Sequence, residues 1–332
     1  MYGLQRRSSS PNTFRIDSLY DNPKYPRFIT VYGDLSESSS LFSVLSKIKP
    51  DEIYNLGAQS HVKVSFDVPE YTINVTGMGA FRILDAIRQL NLKSKFYQAS
   101  SSEMFGSIQD ENLQNENTPF NPQSPYGLSK VFAYHVTKVY RRSYGIYAAN
   151  GILFNHESPR RGITFVTRKI TIGLSRVKLG LQKTLKLGNL SACRDWGYAK
   201  DYVEGIWKIL QHNIPDDFVL ATGETHTVRE FVELAAKKLN IDLVWKGKGI
   251  HESGIDRKTN KLIVEVDPAY FRPSDVNYLK GDASKARKLL NWKPKVTFSK
   301  LVDIMITHDY DFVKKELKGG QKVSVKKINI SS

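Results

Sequence analysis

Acidic residues and cysteine are scarce in this chain. Its 332 residues carry 33 Asp and Glu against 49 Lys and Arg, a net charge of +16, and a single cysteine, Cys193. One thiol excludes an internal disulfide framework and suits a reducing compartment. No stretch approaches the roughly 20 apolar residues of a membrane-spanning helix, and the opening MYGLQRRSSS has no signal-peptide apolar region. These absences lead us to expect a cytoplasmic protein with no membrane partner. The seven histidines show no close pairing with acidic residues at ligand spacing, so no metal is expected. A basic balance suits nucleic acid or a pyrophosphate ligand alike. No zinc-finger, basic-zipper or RNA-recognition signature accompanies the basic stretches, and nucleic acid is not expected as a partner.

Short apolar strands alternate with helical patterns through the first half. The pattern predicts strands at Phe28–Leu35, Glu52–Ala58, Lys95–Ser101 and Tyr147–Phe154. It predicts helices over Leu41–Lys49, a long segment near Pro69–Leu90, and Tyr126–Tyr144. Alternation at this spacing implies right-handed crossovers and a doubly wound parallel sheet of Rossmann type. Past Phe154 the loops lengthen, strands are few, and helices such as Thr227–Leu239 and Ala283–Leu290 are separated by basic segments. That suits a smaller α/β substrate-binding part laid over the carboxyl ends of the sheet. The expected organisation is a nucleotide-binding domain over 1–154, a substrate-binding part over 155–312 and a basic tail over 313–332. The segment Lys314–Ser332 shows no periodicity and reads as a mobile tail.

The chemistry-bearing signal is Tyr126-Gly-Leu-Ser-Lys130 at the start of a helix, preceded by Ser100-Ser101-Ser102-Glu103 at the end of a strand. A spacing of four puts Tyr126 and Lys130 on one helix face. A nearby ammonium stabilises the phenolate, so the tyrosine pKa falls from about 10 towards the working pH. Tyr126 then suits acid/base work on a sugar hydroxyl during hydride transfer, with Ser101 bonding the same oxygen. The spacing YxxxK alone arises often by chance. The serine run about 25 residues upstream, in strand-then-helix order, gives it meaning.

YxxxK with an upstream serine resembles the short-chain dehydrogenase/reductase superfamily, and SSEMFG resembles its extended, nucleotide-sugar branch. The runs Gly151–Gly162 (GILFNHESPRRG), Phe165–Ile170 (FVTRKI), Leu187–Val203 (LGNLSACRDWGYAKDYV) and Asp267–Val276 (DPAYFRPSDV) are similar to the GDP-mannose 4,6-dehydratase family, and the likeness runs from Arg6 to about Ile306. The resemblance implies oxidation of the sugar at C4, elimination of water across C5 and C6, and return of the hydride to C6. It implies Tyr126 as the C4-hydroxyl base, Ser101 as its helper, Glu103 as the group that takes the C5 proton, and Lys130 as the ribose-holding cation. Many relatives carry Thr where this chain has Ser101, with a hydroxyl at the same place. The nucleotide-sugar epimerases and decarboxylases of the same fold remain an alternative, since relatives there also carry the Glu.

The resemblance further implies NADP. Arg6, Arg7, Ser8 and Ser9 match the segment that holds its 2′-phosphate, as guanidinium donors and hydroxyls suit a dianion. An acidic residue at that strand end would favour NAD instead. Asp34 and Leu35 match the adenine-reading pair. Leu56, Gly57, Ala58, Gln59 and Ser60 form a turn under the pyrophosphate, and Tyr71, His156 and Arg161 match further cofactor positions. Asn155, Lys169, Asn189, Arg194, Arg272 and Asp275 match contacts to GDP-mannose. Asp275 departs from the family, where Glu is usual, and its shorter reach weakens that contact. The basic segment from Arg6 to Arg15 reaches a neighbouring subunit in the family, so a homo-oligomer, dimer or tetramer, is expected. Cys193 reads as packing.

No GxGxxG or GxxGxxG occurs anywhere in the sequence. The glycine-rich strand–turn–helix that opens such sheets would lie before Met1, and the fold is expected to be N-terminally truncated by roughly 25–30 residues, about one βα unit. Two readings stay open: an incomplete version of a working enzyme, or a catalytically impaired binding or regulatory subunit.

Overall fold

A computed structural model describes residues 1–9, 13–20, 22–107, 113–270, 276 and 278–319. The chain forms two compact units and passes between them repeatedly. One holds Met1–His156, Cys193–Thr225 and Arg272–Lys295, the other Glu157–Ala192, His226–Phe271 and Val296–Ser332.

The first unit is built on four parallel strands in the order Asp217–Leu220, Ala148–Leu153, Lys95–Ser101, Glu52–Asn55. A separate parallel pair joins Tyr2–Gln5 to Ile29–Tyr32. The two middle strands of the four read as near-continuous buried runs, as a sheet covered on both faces requires. Helix Met78–Gln89 buries Ala80, Ile83, Leu84 and Ile87, an i, i+3, i+4, i+7 stripe, against Phe96 and Ala148 of the sheet. A second core gathers Tyr97, Ile152, Phe154, Tyr202, Phe218 and Trp292. The expected strand–helix alternation holds, with strand Phe28–Leu35 shortened to Ile29–Tyr32 and Glu52–Ala58 to Glu52–Asn55. The long helix expected near Pro69–Leu90 is three pieces: Pro69–Thr72, a π-helical turn Ile73–Gly77, and Met78–Gln89.

An ion-pair cluster pins this sheet. The Asp217 carboxylate, at the start of an edge strand, accepts two bonds from the Arg141 guanidinium (3.0 Å each). It also accepts one from Asn150 Nδ2 (2.8 Å) and one from the Tyr134 hydroxyl (3.1 Å). Burial pushes the Asp217 pKa up, but Arg141, Asn150 and Lys138 outweigh it and the net shift is downward. A depressed carboxylate stabilises the fold above its unfolded pKa, and that stabilisation is lost as pH falls through the folded value. Asp217→Ala leaves the partly buried Arg141 with only the Ala148 carbonyl and Asn150 and Tyr134 without their acceptor, and is expected to cost about 3 kcal/mol. Urea unfolding at pH 7 and pH 4 checks this, the variant losing less than the wild type on acidification.

The second unit also holds a sheet, which corrects the expectation of few strands past Phe154. Leu243–Lys246, Ser253–Asp256 and Leu262–Val266 run antiparallel in turn, and Leu185–Leu187 pairs parallel to the last. These strands are three to five residues long, too short to show a period of two among charged residues. Helices Val166–Lys178, Val228–Lys238 and Phe298–Gly319 pack together through Ile170, Leu174, Phe231, Val232, Leu301 and Met305. The last helix corrects the expected tail: residues 314–319 are helical, because the buried stripe of Leu301, Val302, Met305, Asp309 and Val313 carries the helix on. Asp309 is fully buried and paired with Arg168 at 2.7 Å, and Thr171 Oγ1 donates to the same carboxylate. No helix among the described residues is long and apolar enough to cross a membrane.

Candidate active site

In the first unit, the Lys95–Ser101 strand ends on the serine run and the Pro125–Tyr144 helix begins beside it. Ser124 caps the helix, its Oγ accepting from Gly127 N at 3.0 Å, and Pro125 occupies the first helical position, where a missing N–H costs nothing. This cap sets where the helix starts and therefore where Tyr126 lies. Gly127 makes the junction close: a Cβ there would lie 2.8 Å from the Glu103 carbonyl oxygen. Any side chain at Gly127 would push the helix start off the strand end.

Ser101 Oγ accepts from Glu103 N at 3.2 Å, turning the chain into one 3₁₀ turn that projects Glu103. Tyr126 is buried and Lys130 nearly fully so. The Lys130 ammonium lies 5.8 Å from the centroid of the Tyr126 ring and donates to the Ala99 carbonyl at 2.6 Å. Burial pulls the Lys130 pKa down to about 8. This cation is desolvated, and among the described residues its hydrogen bond is to a backbone carbonyl rather than a carboxylate. It retains donor capacity for a ligand's hydroxyls. Ser101 and Glu103 thus sit at the strand end beside which the helix carrying Tyr126 and Lys130 begins.

The residues expected to hold the cofactor cluster in part. Arg6 donates to the Tyr71 hydroxyl at 3.3 Å, joining two positions 65 residues apart in sequence. Arg7 rests on the Tyr32 ring, 4.6 Å from its centroid, and no carboxylate pairs with it among the described residues. A guanidinium held on an aromatic face with no acidic partner fits a phosphate dianion. Ser8 and Ser9 follow as exposed residues. Asp34 Oδ1 accepts from both Ser36 N and Ser36 Oγ, and the carbonyl of Leu35 accepts from Arg82. Leu56 is exposed at the sheet's edge, followed by Gly57, Ala58 and Ser60. The Gln59 side chain bonds Thr72 and the His61 carbonyl, so its role is to fasten that turn to the helices behind it. His156 stacks on Tyr202 at 5.1 Å, and its Nδ1 bonds the Phe154 carbonyl at 2.8 Å. With Nδ1 as donor, Nε2 is the acceptor.

Of the residues in this unit expected to meet substrate, Asn155 has a buried Oδ1 with no hydrogen-bond donor among the described residues, an acceptor suited to a ligand. Arg194 is buried and donates to the Cys193 carbonyl at 2.9 Å. Cys193 is half-buried and forms no disulfide. Arg272 and Asp275 lie outside the described residues. In the second unit, Arg161 lies 3.3 Å from the buried Glu157 carboxylate and over the Phe165 ring. Lys169 Nζ sits 3.0 Å from the centroid of Tyr270, and Asn189 Oδ1 accepts from Ser191 N.

The sequence reading missed Tyr270 and Tyr202, aromatic rings whose contacts come from distant segments. It also missed the Ser124-Pro125 cap, for which the signal was present: a hydroxyl residue followed by proline is a helix-start pair.

The family model described as GDP-mannose 4,6 dehydratase matches residues 1–305. The chain is 51% identical over 323 residues to a GDP-mannose 4,6-dehydratase of Vibrio cholerae, covering 93% of this chain and 87% of that one. It is 50% identical over 319 residues to the Homo sapiens GDP-mannose 4,6 dehydratase, covering 95% and 86%. Among solved structures it resembles DesIV, a dTDP-glucose 4,6-dehydratase of Streptomyces venezuelae with NAD and TYD bound. The TM-score is 0.77 at 20% identity, covering 96% and 88%. It also resembles RMD of Pseudomonas aeruginosa complexed with NADPH, at TM-score 0.73 and 20% identity, covering 90% and 94%. At that identity the two structures speak to the fold, which is the Rossmann-type α/β fold expected.

Proposed function

The chain belongs to the GDP-mannose 4,6-dehydratase family, and from that premise we propose how its own residues convert GDP-mannose to GDP-4-keto-6-deoxy-mannose. The enzyme is a hydro-lyase: one water leaves and the sugar's overall oxidation state is unchanged. One observation carries the reading of the site. Ser101, Glu103, Tyr126 and the desolvated Lys130 meet at one strand–helix junction, in a chain half identical to such dehydratases.

Tyr126 takes the proton of the C4 hydroxyl, with Ser101 bonded to the same oxygen and the Lys130 charge favouring the phenolate. A ketone at C4 acidifies the C5–H bond, which an unmodified sugar holds far too tightly. Glu103 removes that proton, and the electrons left at C5 form a C5–C6 double bond as the C6 hydroxyl departs. The proton now on Glu103 goes to that hydroxyl, so that it leaves as water. The proton held on Tyr126 goes to C5 when C6 is reduced. NADP, when bound, would supply the hydride chemistry needed at C4 and C6. Arg6 and Arg7 with Ser8 and Ser9 would hold its 2′-phosphate, and Asp34 with Leu35 its adenine. The turn Leu56–Ser60 with Tyr71, His156, Arg161 and Lys130 would hold the rest. The Arg7 guanidinium, on the Tyr32 ring with no carboxylate against it among the described residues, supports NADP over NAD, and Gln5-Arg6-Arg7 offers no acidic residue at that strand end. By the family resemblance Asn155, Lys169, Asn189, Arg194, Arg272 and Asp275 would bind GDP-mannose, the cations suiting its diphosphate.

A homo-oligomer is part of the proposal. Helix Pro125–Tyr144 leaves Leu128, Phe132 and Val139 exposed at i, i+4 and i+11, a face suited to a second copy. The single thiol supports a cytoplasmic setting. Incubation with GDP-mannose and NADP tests the function by mass and NMR. The expected product is lighter by one water and carries a C4 ketone and a C6 methyl. An isomer of unchanged mass would mean an epimerase.

A further inference from the structure

Asp195 stands next to Arg194, is fully buried, and takes no part in the chemistry above. Its two carboxylate oxygens accept four bonds. Oδ1 receives Thr222 N at 2.9 Å and Thr222 Oγ1 at 2.7 Å. Oδ2 receives Gly223 N at 2.9 Å and Gly281 N at 3.2 Å. A carboxylate accepting this many donors is a strong, directional fastening in a place that water does not reach.

The donors come from two separate stretches of chain. Thr222 and Gly223 follow the Asp217–Leu220 strand directly. Gly281 lies three residues past Tyr278, which bridges to Cys193, the neighbour of Arg194. Gly281 has no room for a side chain: a Cβ there would lie 2.2 Å from Ala221 Cβ and 2.7 Å from the Phe154 ring. Phe154 is followed by Asn155, whose Oδ1 is the unpaired buried acceptor. One carboxylate therefore ties the chain just after Arg194 to the end of the edge strand Asp217–Leu220 and to Gly281, which packs closely against Phe154, the residue before Asn155.

Asp195 lies between the short strands Cys193–Arg194 and Trp196–Tyr198, so fastening its carboxylate fixes the backbone that carries Arg194. We propose that Asp195 is a positioning residue for nucleotide-sugar affinity, fixing Arg194 and Asn155 relative to each other without touching the substrate. The proposal rests on the assignment of those two residues to GDP-mannose.

Asp195→Asn tests it. The amide keeps the side chain's shape but turns an N–H2 towards donors that need an acceptor. The expected result is a dissociation constant for GDP-mannose raised about tenfold, by calorimetry. NADP affinity should be unchanged, and kcat at saturating substrate should stay within about twofold. A general structural role would instead lower NADP affinity and kcat together with GDP-mannose affinity, and that result overturns the proposal. Wild-type affinity for GDP-mannose in a folded Asp195→Asn chain overturns it too. If that variant does not fold, Thr222→Val removes one of the four bonds. It should raise the same constant about threefold with NADP affinity unchanged, and no change overturns the proposal. A wild-type chain that binds UDP-glucose as tightly as GDP-mannose would instead refute the substrate assignment, separately from the role of Asp195.

Discussion

Replacing Glu103 by Gln is expected to lower turnover by about two to four orders of magnitude and to leave a diagnostic product. The substitution keeps the side chain's shape, so the 3₁₀ turn held by Ser101 Oγ and the close approach of the Glu103 carbonyl to Gly127 both survive. The proposed mechanism then proceeds until a base is needed at C5. A sugar ketone that keeps its C6 hydroxyl should accumulate to no more than one equivalent per chain, because completion of the cycle depends on elimination. Tyr126→Phe should behave differently, forming no ketone at all. Quenched-flow product analysis separates the two. Near-wild-type turnover in Glu103→Gln would assign the C5 proton to another residue.

Lys130→Met carries the second large effect, in which activity and stability move in opposite directions. Activity should fall by about two to four orders of magnitude, because the phenolate loses its stabilising charge and the ligand loses a cationic donor. Stability at pH 7 should rise. The folded-state pKa of about 8, against an ordinary 10.5, means the charged form is costly to bury. Below pH 8 both folded and unfolded chains carry the proton, and the full cost of about 3 kcal/mol applies. Between pH 8 and 10.5 the unfolded chain binds more protons than the folded one, so wild-type stability recovers as pH rises. The carbonyl of Ala99 keeps a donor in Gln98 Nε2 when the lysine is gone. With the lost lysine bond subtracted, a net gain of about 2 kcal/mol is expected for Lys130→Met at pH 7. Denaturant unfolding from pH 7 to 10 should show the difference shrinking. A less stable variant at pH 7 would contradict this account of Lys130.

The parts of this molecule that were legible in sequence are those in which one segment carries its own signal. Lys95–Ser101 is apolar enough to declare a buried strand, and it appears with the predicted bounds. Tyr126 and Lys130 reveal themselves by spacing on one helix, and the structure moves that helix's start by one residue, to Pro125. The second unit was harder to read because its strands gain stability from partners far away in sequence. Leu185–Leu187 becomes a strand only beside Val264–Val266. The helix through Asp309 was obscured because its buried stripe includes a carboxylate, apolar in position only through Arg168 and Thr171. Asp195 is the extreme case. Its four donors come from Thr222, Gly223 and Gly281, and no local pattern marks a residue whose role is to receive distant backbone amides.

The central claim is that this chain carries out oxidation, dehydration and reduction on one sugar at one site. GDP-mannose carrying deuterium at C4 tests it most directly. The account predicts GDP-4-keto-6-deoxy-mannose with the label at C6, transferred within the same molecule when labelled and unlabelled substrates are mixed. Loss of the label to solvent, or a product that keeps deuterium at C4, would contradict it.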